Sequence, residues 1–215
     1  GDFNQKFKII NLEEFNKIKD TGIDTIIDGR LRPGGSFRQE VDVEFNKKLL
    51  FLAQQYNVKV ILLNTGLNWF GYVSNKNLKQ WIYSIELEYE NFNSLYRYYL
   101  NDEPENEGDI NFVRDVVNEL NNINTSRTGT TTLYNDLDLI KYYYENVNSR
   151  EVIVDHYPLF SNTPKEGKGL QNQLDELTYT LYNLNKFSKM YYKPFWFFVQ
   201  THSWNPDPNN IDPNY

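Results

Sequence analysis

Apolar residues follow two alternating patterns along this chain: short, nearly unbroken runs, and longer stretches in which they recur every three or four residues. The short runs predict β-strands, and a run without polar alternation is typical of a strand covered on both faces. The longer stretches predict amphipathic helices. The predicted strands occupy residues 23–27, 58–63, 96–100, 130–134, 152–154 and 195–199, and the predicted helices occupy residues 12–18, 45–56, 78–92, 110–120, 137–144 and 170–184.

The two ends of the chain carry further signals. Asn11 with Glu14 three residues later is a variant of the capping box that starts a helix, and Gly22 is suited to close that helix. Residues 7–10 offer at best one more strand before it. Residues 205–215 are rich in proline, asparagine and aspartate, so we expect a loop-like tail there.

Helices and strands therefore alternate between residues 10 and 204, and each connection is long enough for successive strands to pair in parallel. This alternation excludes an all-α and an all-β fold. A doubly wound sheet that binds nucleotides would carry a glycine-rich phosphate turn after its first strand. The sequence has neither GxGxxG nor a Walker loop, and the segment Arg32-Pro-Gly-Gly-Ser is interpreted as a turn only.

Polar residues gather just past the predicted strand ends, which favours a barrel. In a (β/α)8 barrel the carboxyl ends of all strands meet at one rim, where the functional side chains lie. We therefore predict a single α/β domain over residues 1–215 with a TIM-type barrel, in which the first and the eighth strand are not clearly readable. The residues expected at this rim are Asp28, Asn64, Asp102, Glu103, Asn135, Asp155, His156, Tyr157, Gln200, Thr201 and His202.

Composition excludes several classes of function. The chain has 215 residues, enough for one domain with a substantial core. Its net charge of −7 and the lack of a basic stripe argue against a nucleic-acid partner. It has no cysteine, which excludes disulfides and thiol catalysis. No apolar run is long enough to span a bilayer, and no signal peptide is recognisable, although a signal removed before Gly1 is compatible with the sequence.

The chain is rich in aromatic residues, which make up 16% of it and include 17 tyrosines and 4 tryptophans. Many of them must form the core. A surplus of Tyr and Trp near loops also suits the binding of sugars or peptides, because each ring offers an apolar face and a polar group.

The segment Asn101-Asp102-Glu103-Pro104 is the most informative stretch of the sequence. An aromatic strand leads into it, and Pro104 cannot continue a β-ladder, so the strand must stop there. Two carboxylates are thereby expected where a strand opens into a loop. Taken alone, such a triplet is more often a solvated turn, and its position among the other strand ends is what favours a functional interpretation.

The succession of strands and helices, with the polar residues that follow the strands, resembles the (β/α)8 glycoside hydrolases of clan A. Residues 101–104 resemble the Asn-Glu-Pro end of the fourth strand in that clan, which implies that Glu103 is the general acid/base. The segment Asp155-His156-Tyr157-Pro158 resembles the end of the sixth strand, and residues 196–200 resemble the seventh. The chain departs from the clan at Gln200, where the nucleophilic glutamate is expected, and in the lack of a recognisable eighth strand.

Two partners for Glu103 follow from this resemblance. Asp155 could face Glu103 across the barrel mouth in a direct displacement or an inverting reaction, which needs two carboxyl groups at a suitable distance. Alternatively, the adjacent Asp102 and Glu103 resemble hexosaminidases and chitinase-like enzymes, in which the acetamido group of the sugar is the nucleophile and the aspartate orients it. Tyr98 or Trp69, if close, would raise the pKa of Glu103.

The remaining polar and aromatic residues of the rim are expected to bind substrate. The rings of Trp69, Tyr157 and Trp204 are equally compatible with stacking on a sugar and with packing at the rim. Two histidines on separate strand ends are more typical of substrate binding than of a metal site, so we predict neither a metal nor another cofactor. The full predicted binding set is Asp28, Asn64, Trp69, Tyr134, Asn135, His156, Tyr157, Gln200, His202 and Trp204.

The sequence therefore predicts a glycosidase that cleaves an oligo- or polysaccharide, with Glu103 as general acid/base. The alternative, favoured by Gln200, is an inactive barrel that binds carbohydrate or acts as a scaffold. The resemblance implies a bacterial enzyme that acts outside the cell or at its surface, although a cytoplasmic location is compatible with the sequence. We expect a carbohydrate substrate, no nucleic acid and no membrane span.

Overall fold

Six strands and six helices alternate in the computed structural model, which describes residues 12–28, 43–63, 67, 77–123, 126–156 and 167–198. The strands are β1 (Thr25–Asp28), β2 (Lys59–Leu62), β3 (Leu95–Asp102), β4 (Thr128–Leu133), β5 (Val152–Val154) and β6 (Phe195–Phe197). The helices are α1 (Leu12–Asp20), α2 (Val43–Gln55), α3 (Leu78–Tyr89), α4 (Glu107–Asn122), α5 (Leu137–Asn146) and α6 (Gly167–Tyr191).

The strands form one sheet in the order β1-β2-β3-β4-β5-β6, which is also their order along the chain. The pairs β1/β2, β2/β3, β4/β5 and β5/β6 are parallel, as in the register Asp28↔Leu62 and Val154↔Phe197. The predicted α/β fold with parallel strands is thus confirmed. A doubly wound sheet reverses its strand order at a switch point, and no reversal occurs among these six strands.

The local boundaries follow from local chemistry. β5 covers the three predicted residues, and α1 ends before Gly22, whose φ of +77° is a left-handed conformation that glycine adopts without strain. α5 begins after Asp136, whose side chain accepts the N–H groups of Asp138 and Leu139 at 3.0 and 3.1 Å. The strand suggested at residues 7–10 and the tail at 205–215 lie outside the described residues.

The chain divides into two compact units, and the prediction of one domain over residues 1–215 stays a prediction. The first unit comprises residues 1–101 and 111–130. In this unit β2 is fully buried over Val60, Ile61 and Leu62, which explains its unbroken apolar sequence. Gly129 lies so close to β3 that a Cβ atom there would fall 2.3 Å from Cδ1 of Leu100.

A charged network stabilises the first unit where β3 and β4 begin; we call it the Arg127 network, formed by Arg127, Glu86 and Tyr98. Nη1 of Arg127 lies 3.7 Å from Oε2 of Glu86, and the hydroxyl of Tyr98 donates to Oε1 of the same carboxylate. Nη2 of Arg127 donates to the backbone carbonyls of Glu90 and Phe92, both at 3.1 Å. Every charge of the network therefore has an opposite charge or a hydrogen-bond partner.

The second unit comprises residues 102–110 and 131–215. Its described core packs α5 against α6, with the ring of Tyr144 lying 5.8 Å from that of Phe187 and 5.7 Å from that of Tyr191. Lys193 closes the end of α5 by donating to the carbonyls of Tyr144 and Val147. Burial lowers the pKa of Lys193 to about 8. This unit contains the strand ends at which the sequence predicts most of the functional groups.

Candidate functional site

The end of β4 fixes the two carboxylate residues that the sequence predicts on neighbouring strands. The N–H of Glu103 donates to the carbonyl of Thr132 at 2.9 Å, and the N–H of Asp155 donates to the carbonyl of Leu133 at 3.0 Å. Because β3 and β5 lie on either side of β4, the backbones of Glu103 and Asp155 are two strand spacings, or about 10 Å, apart. Their side chains start from either side of the same strand end.

Glu103 has an unusual backbone conformation. Its φ is +47°, in the left-handed region that a residue with a side chain rarely adopts. Pro104 beside it is buried, whereas the side chain of Glu103 is exposed. Strained conformations of this kind persist where the surrounding structure enforces them, and they are concentrated at functional sites. The strained residue here is the one that the sequence identifies as the general acid/base.

Tyr134, directly after β4, is the residue on which the charges of the site converge. Burial raises the pKa of its hydroxyl above the usual value, and the negative charges of Glu103, Glu176 and Asp155 raise it further. The residue as a whole is 49% exposed. A tyrosine held protonated among carboxylates can donate a hydrogen bond to an anionic or polar oxygen.

Glu176 of α6 belongs to this cluster, and the sequence analysis missed it. Nδ2 of Asn135 donates to Oε1 of Glu176 at 3.1 Å, and the Oγ1 of Thr180, one turn further along α6, donates to Oδ1 of Asn135 at 2.6 Å. Thr180 is buried, whereas Glu176 is exposed. Asn135, predicted to bind substrate, therefore also connects the end of β4 to a carboxylate on α6.

His156 lies buried beside Asp155 at the end of β5. Only 6% of His156 and 3% of Asp155 are exposed. Burial lowers the pKa of His156, because the charged imidazole is poorly solvated there, and the charge of Glu176 opposes this effect. Its Nδ1 atom has no hydrogen-bond partner among the described residues. Burial thus favours the neutral form of His156.

The structure brings together five of the residues that the sequence predicts for the site: Glu103, Tyr134, Asn135, Asp155 and His156. Asp102 is the last residue of β3 and is half-buried, but its charge is not among those that act on Tyr134. Asp28 is buried at the end of β1 in the other compact unit. The predicted residues Asn64, Trp69, Tyr157, Gln200, His202 and Trp204 lie outside the described residues.

The cluster of Glu103, Tyr134, Glu176 and Asp155 is suited to proton transfer and to stabilising positive charge. Two exposed carboxylates and one protonated hydroxyl can each exchange a hydrogen bond with a polyhydroxylated ligand. In the part of the chain that the structure describes, no group of three or more His, Cys, Asp or Glu side chains could hold a metal ion. No helix in the described ranges is both long and apolar enough to cross a membrane.

Solved structures of carbohydrate-active enzymes share this fold. The chain is similar to a β-D-glucuronidase from Dictyoglomus thermophilum, with a TM-score of 0.55 and 17% identity over 94% of this chain. It is also similar to a GH2 β-galacturonidase from Eisenbergiella tayi, with a TM-score of 0.54 and 17% identity over 86% of the chain. A plant β-glucan endohydrolase gives a TM-score of 0.52 and 11% identity over 85% of the chain.

The chain spans 35% of the length of the glucuronidase, 30% of the galacturonidase and 70% of the glucan endohydrolase. By sequence, neither a protein-family model nor a curated protein matches it. At these identities the similarity concerns the course of the backbone and not the side chains of a site. The chain therefore has an α/β fold of the kind found in glycoside hydrolases.

Proposed function

We propose that this protein hydrolyses a glycosidic bond, with Glu103 as general acid/base. The observation that carries the proposal is the anchoring of Glu103 and Asp155 on the two sides of the end of β4, next to Tyr134, whose pKa is raised by burial and by the charges of both residues and of Glu176 on α6. Carboxylates that directly follow neighbouring parallel strands lie where α/β enzymes place their functional groups. Glycoside hydrolysis is a reaction that uses a pair of carboxyl groups.

Exposure suggests a division of roles within the cluster. Glu103 and Glu176 are exposed and can contact a substrate. Asp155 is 3% exposed, so in this proposal it acts on the bound substrate from the buried side of the site. In this proposal Glu103 donates a proton to the leaving oxygen as its bond to the anomeric carbon breaks, and water supplies the new hydroxyl group on that carbon. Asp155 stabilises the positive charge that develops on the sugar ring. Asp102 is proposed to orient the substrate only if the reaction is assisted by an acetamido group of the sugar.

We also propose that the six strands belong to a (β/α)8 barrel. Their order in the sheet equals their order along the chain, which is how a barrel is wound. The remaining strands would come from residues outside those described or from chain beyond the present sequence. A carbohydrate substrate and a location outside the cell belong to the same proposal.

Hydrolysis of a panel of aryl glycosides tests the proposed function. The panel should include glucuronides, galacturonides, glucosides, fucosides and N-acetylhexosaminides, because the identity of the sugar is open. We expect release of the aryl group from at least one glycoside, with a rate that depends on enzyme concentration. An N-acetylhexosaminide as the sole substrate would support the assisted mechanism with Asp102.

The competing function is carbohydrate binding without catalysis, which the same preparation can reveal. Binding of free oligosaccharides to Glu103→Gln and to the wild-type protein is measured alongside the panel by calorimetry. Retained binding in both, with no hydrolysis of any glycoside by the wild-type protein, would contradict the enzymatic proposal and support a binding or scaffold role.

A further inference from the structure

A polar cavity lies in the first compact unit, where β3 and β4 begin. Its volume is about 420 Å³, which falls within the range of roughly 300–1,000 Å³ that is usual for small-molecule sites. The residues of its wall that matter here are Tyr83, Leu87, Glu90, Asn93, Ser126 and Arg127. All of them belong to one compact unit, and none is part of the cluster around Tyr134.

Arg127 lines this cavity, and its side chain is held in place by bonds within the protein. The residue is 8% exposed, and its guanidinium group is held by the carbonyls of Glu90 and Phe92 and by the carboxylate of Glu86. The Tyr98 hydroxyl holds the same carboxylate from its other side. The guanidinium group of Arg127 is thus fixed by its partners, and its positive charge is already balanced by Glu86.

The rim of the cavity combines an apolar surface with polar groups. Tyr83 is 54% exposed and Leu87 is 48% exposed, and they lie one turn apart on the same face of α3. Glu90, Asn93 and Ser126 are also exposed, and they provide a carboxylate, an amide and a hydroxyl group. An exposed aromatic ring beside planar polar side chains suits a ligand that has both apolar C–H faces and many hydroxyl groups.

We infer that this cavity binds one or two sugar units of a neutral oligosaccharide, independently of the proposed active site. A purely apolar ligand would bury the polar groups of the rim without partners, which is costly. An anionic sugar would meet the carboxylates of Glu86 and Glu90, while Arg127 is already engaged with Glu86. A neutral, polyhydroxylated ligand can form hydrogen bonds with the polar side chains of the rim and cover the apolar surfaces of Tyr83 and Leu87.

Amide chemical shifts in a ¹⁵N-labelled full chain test this inference with cellotetraose, xylotetraose and mannotetraose as probes. The Glu103→Gln variant is titrated as well, so that cleavage cannot change the probe. We expect saturable shift changes at the amides around Tyr83, Glu90 and Ser126 with at least one probe. Changes only near Tyr134, or none with any probe, would contradict the inference.

Substitution of the aromatic surface provides the second readout. Tyr83→Ala should weaken binding at this cavity by about tenfold, the scale of a favourable aromatic contact. Tyr182→Ala is the matched control, because Tyr182 is a 66% exposed tyrosine on α6 that does not line this cavity. Equal affinity of the wild-type protein, Tyr83→Ala and Tyr182→Ala would overturn the inference. Tighter binding of tetragalacturonate than of every neutral probe would also overturn it. Loss of glycosidase activity would not affect either result.

Discussion

The two ends of strand β3 place carboxylates beside a tyrosine hydroxyl in contrasting ways. Where β3 begins, Glu86 accepts a hydrogen bond from the buried Tyr98 and faces the guanidinium of Arg127. Past the end of β3, Glu103 acts on the half-exposed Tyr134 together with other carboxylates. Within the described ranges neither Glu103 nor Glu176 forms an ion pair.

This difference separates charge that stabilises the fold from charge that is available for chemistry. Burial raises the pKa of both tyrosines, and nearby carboxylates raise it further. At Tyr98 the cation Arg127 opposes this effect, so the network approaches neutrality. At Tyr134 no cation is among the groups that act on the hydroxyl. The pKa of Tyr134 is therefore raised by burial and by negative charges without an opposing cation.

Glu103→Gln should produce the largest effect and is the strongest test of this comparison. We expect kcat/KM to fall by about 10²- to 10⁴-fold, because a positioned general acid contributes that much. The free energy of unfolding should change little, since the exposed side chain of Glu103 has no ion pair to lose. The measurements are aryl glycoside kinetics and urea unfolding. Glu105→Gln, an exposed glutamate two residues later, is the control and should keep full activity.

Glu86→Gln is the reciprocal change where β3 begins. It leaves the buried Arg127 without its carboxylate, and we expect the free energy of unfolding to fall by about 1–3 kcal/mol. Activity per folded molecule should remain at the wild-type level. Urea denaturation monitored by circular dichroism, with kinetics on the same samples, checks both statements. A loss of activity without a loss of stability would show that the two clusters do not differ in the proposed way.

Acidification should destabilise the protein through His156. Its pKa in the folded state is lowered from the usual 6.5, so the unfolded chain binds more protons once the pH falls to about that value. Stability is therefore fully present above the unfolded pKa and is lost as the pH falls through the folded pKa. Urea midpoints at pH 7.5 and pH 5 should show this loss. In His156→Gln the fall should be smaller, and an equal fall in both proteins would exclude His156 as its source.

Glu176→Gln should produce the smallest effect, a further lowering of the pKa of His156. The negative charge of Glu176 opposes the lowering caused by burial, so its removal leaves burial alone. The chain has 2 histidines, so each imidazole can be followed separately by NMR titration. Glu86→Gln is the control and should leave the titration of His156 unchanged. An unchanged pKa of His156 in Glu176→Gln would show that Glu176 on α6 does not act on the groups around Tyr134.

The elements that local sequence determines were predicted well. All six described strands overlap their predicted ranges, because apolar runs and the residues that end them act over a few positions. The position of Glu103 directly after a strand was predicted for the same reason, since the adjacent Pro104 ends the strand at that point. Asp155 and Tyr134 follow from the rule that functional groups lie just past parallel strands.

What the sequence did not reveal depends on contacts between distant segments. Glu176 lies 41 residues from Asn135 in the chain, and its helix was recognised by a leucine stripe that gives no information about its polar face. The sequence left open whether Tyr98 lies close to Glu103, and the contact of its hydroxyl with Glu86 on α3 could not be predicted from it. The strand β4 was predicted, but its complete burial was not, because four of its six residues are threonines.

The main-chain bonds that hold Glu103 and Asp155 affect how this chain could diversify. Both residues are anchored by carbonyl oxygens of Thr132 and Leu133, and neither bond requires a particular side chain on β4. The side chains of Thr132 and Leu133 are each 1% exposed, so they can adapt to changes in the core while their carbonyls stay in place. Residues past the strand ends can thus change without a change in the side chains of the strand that supports them.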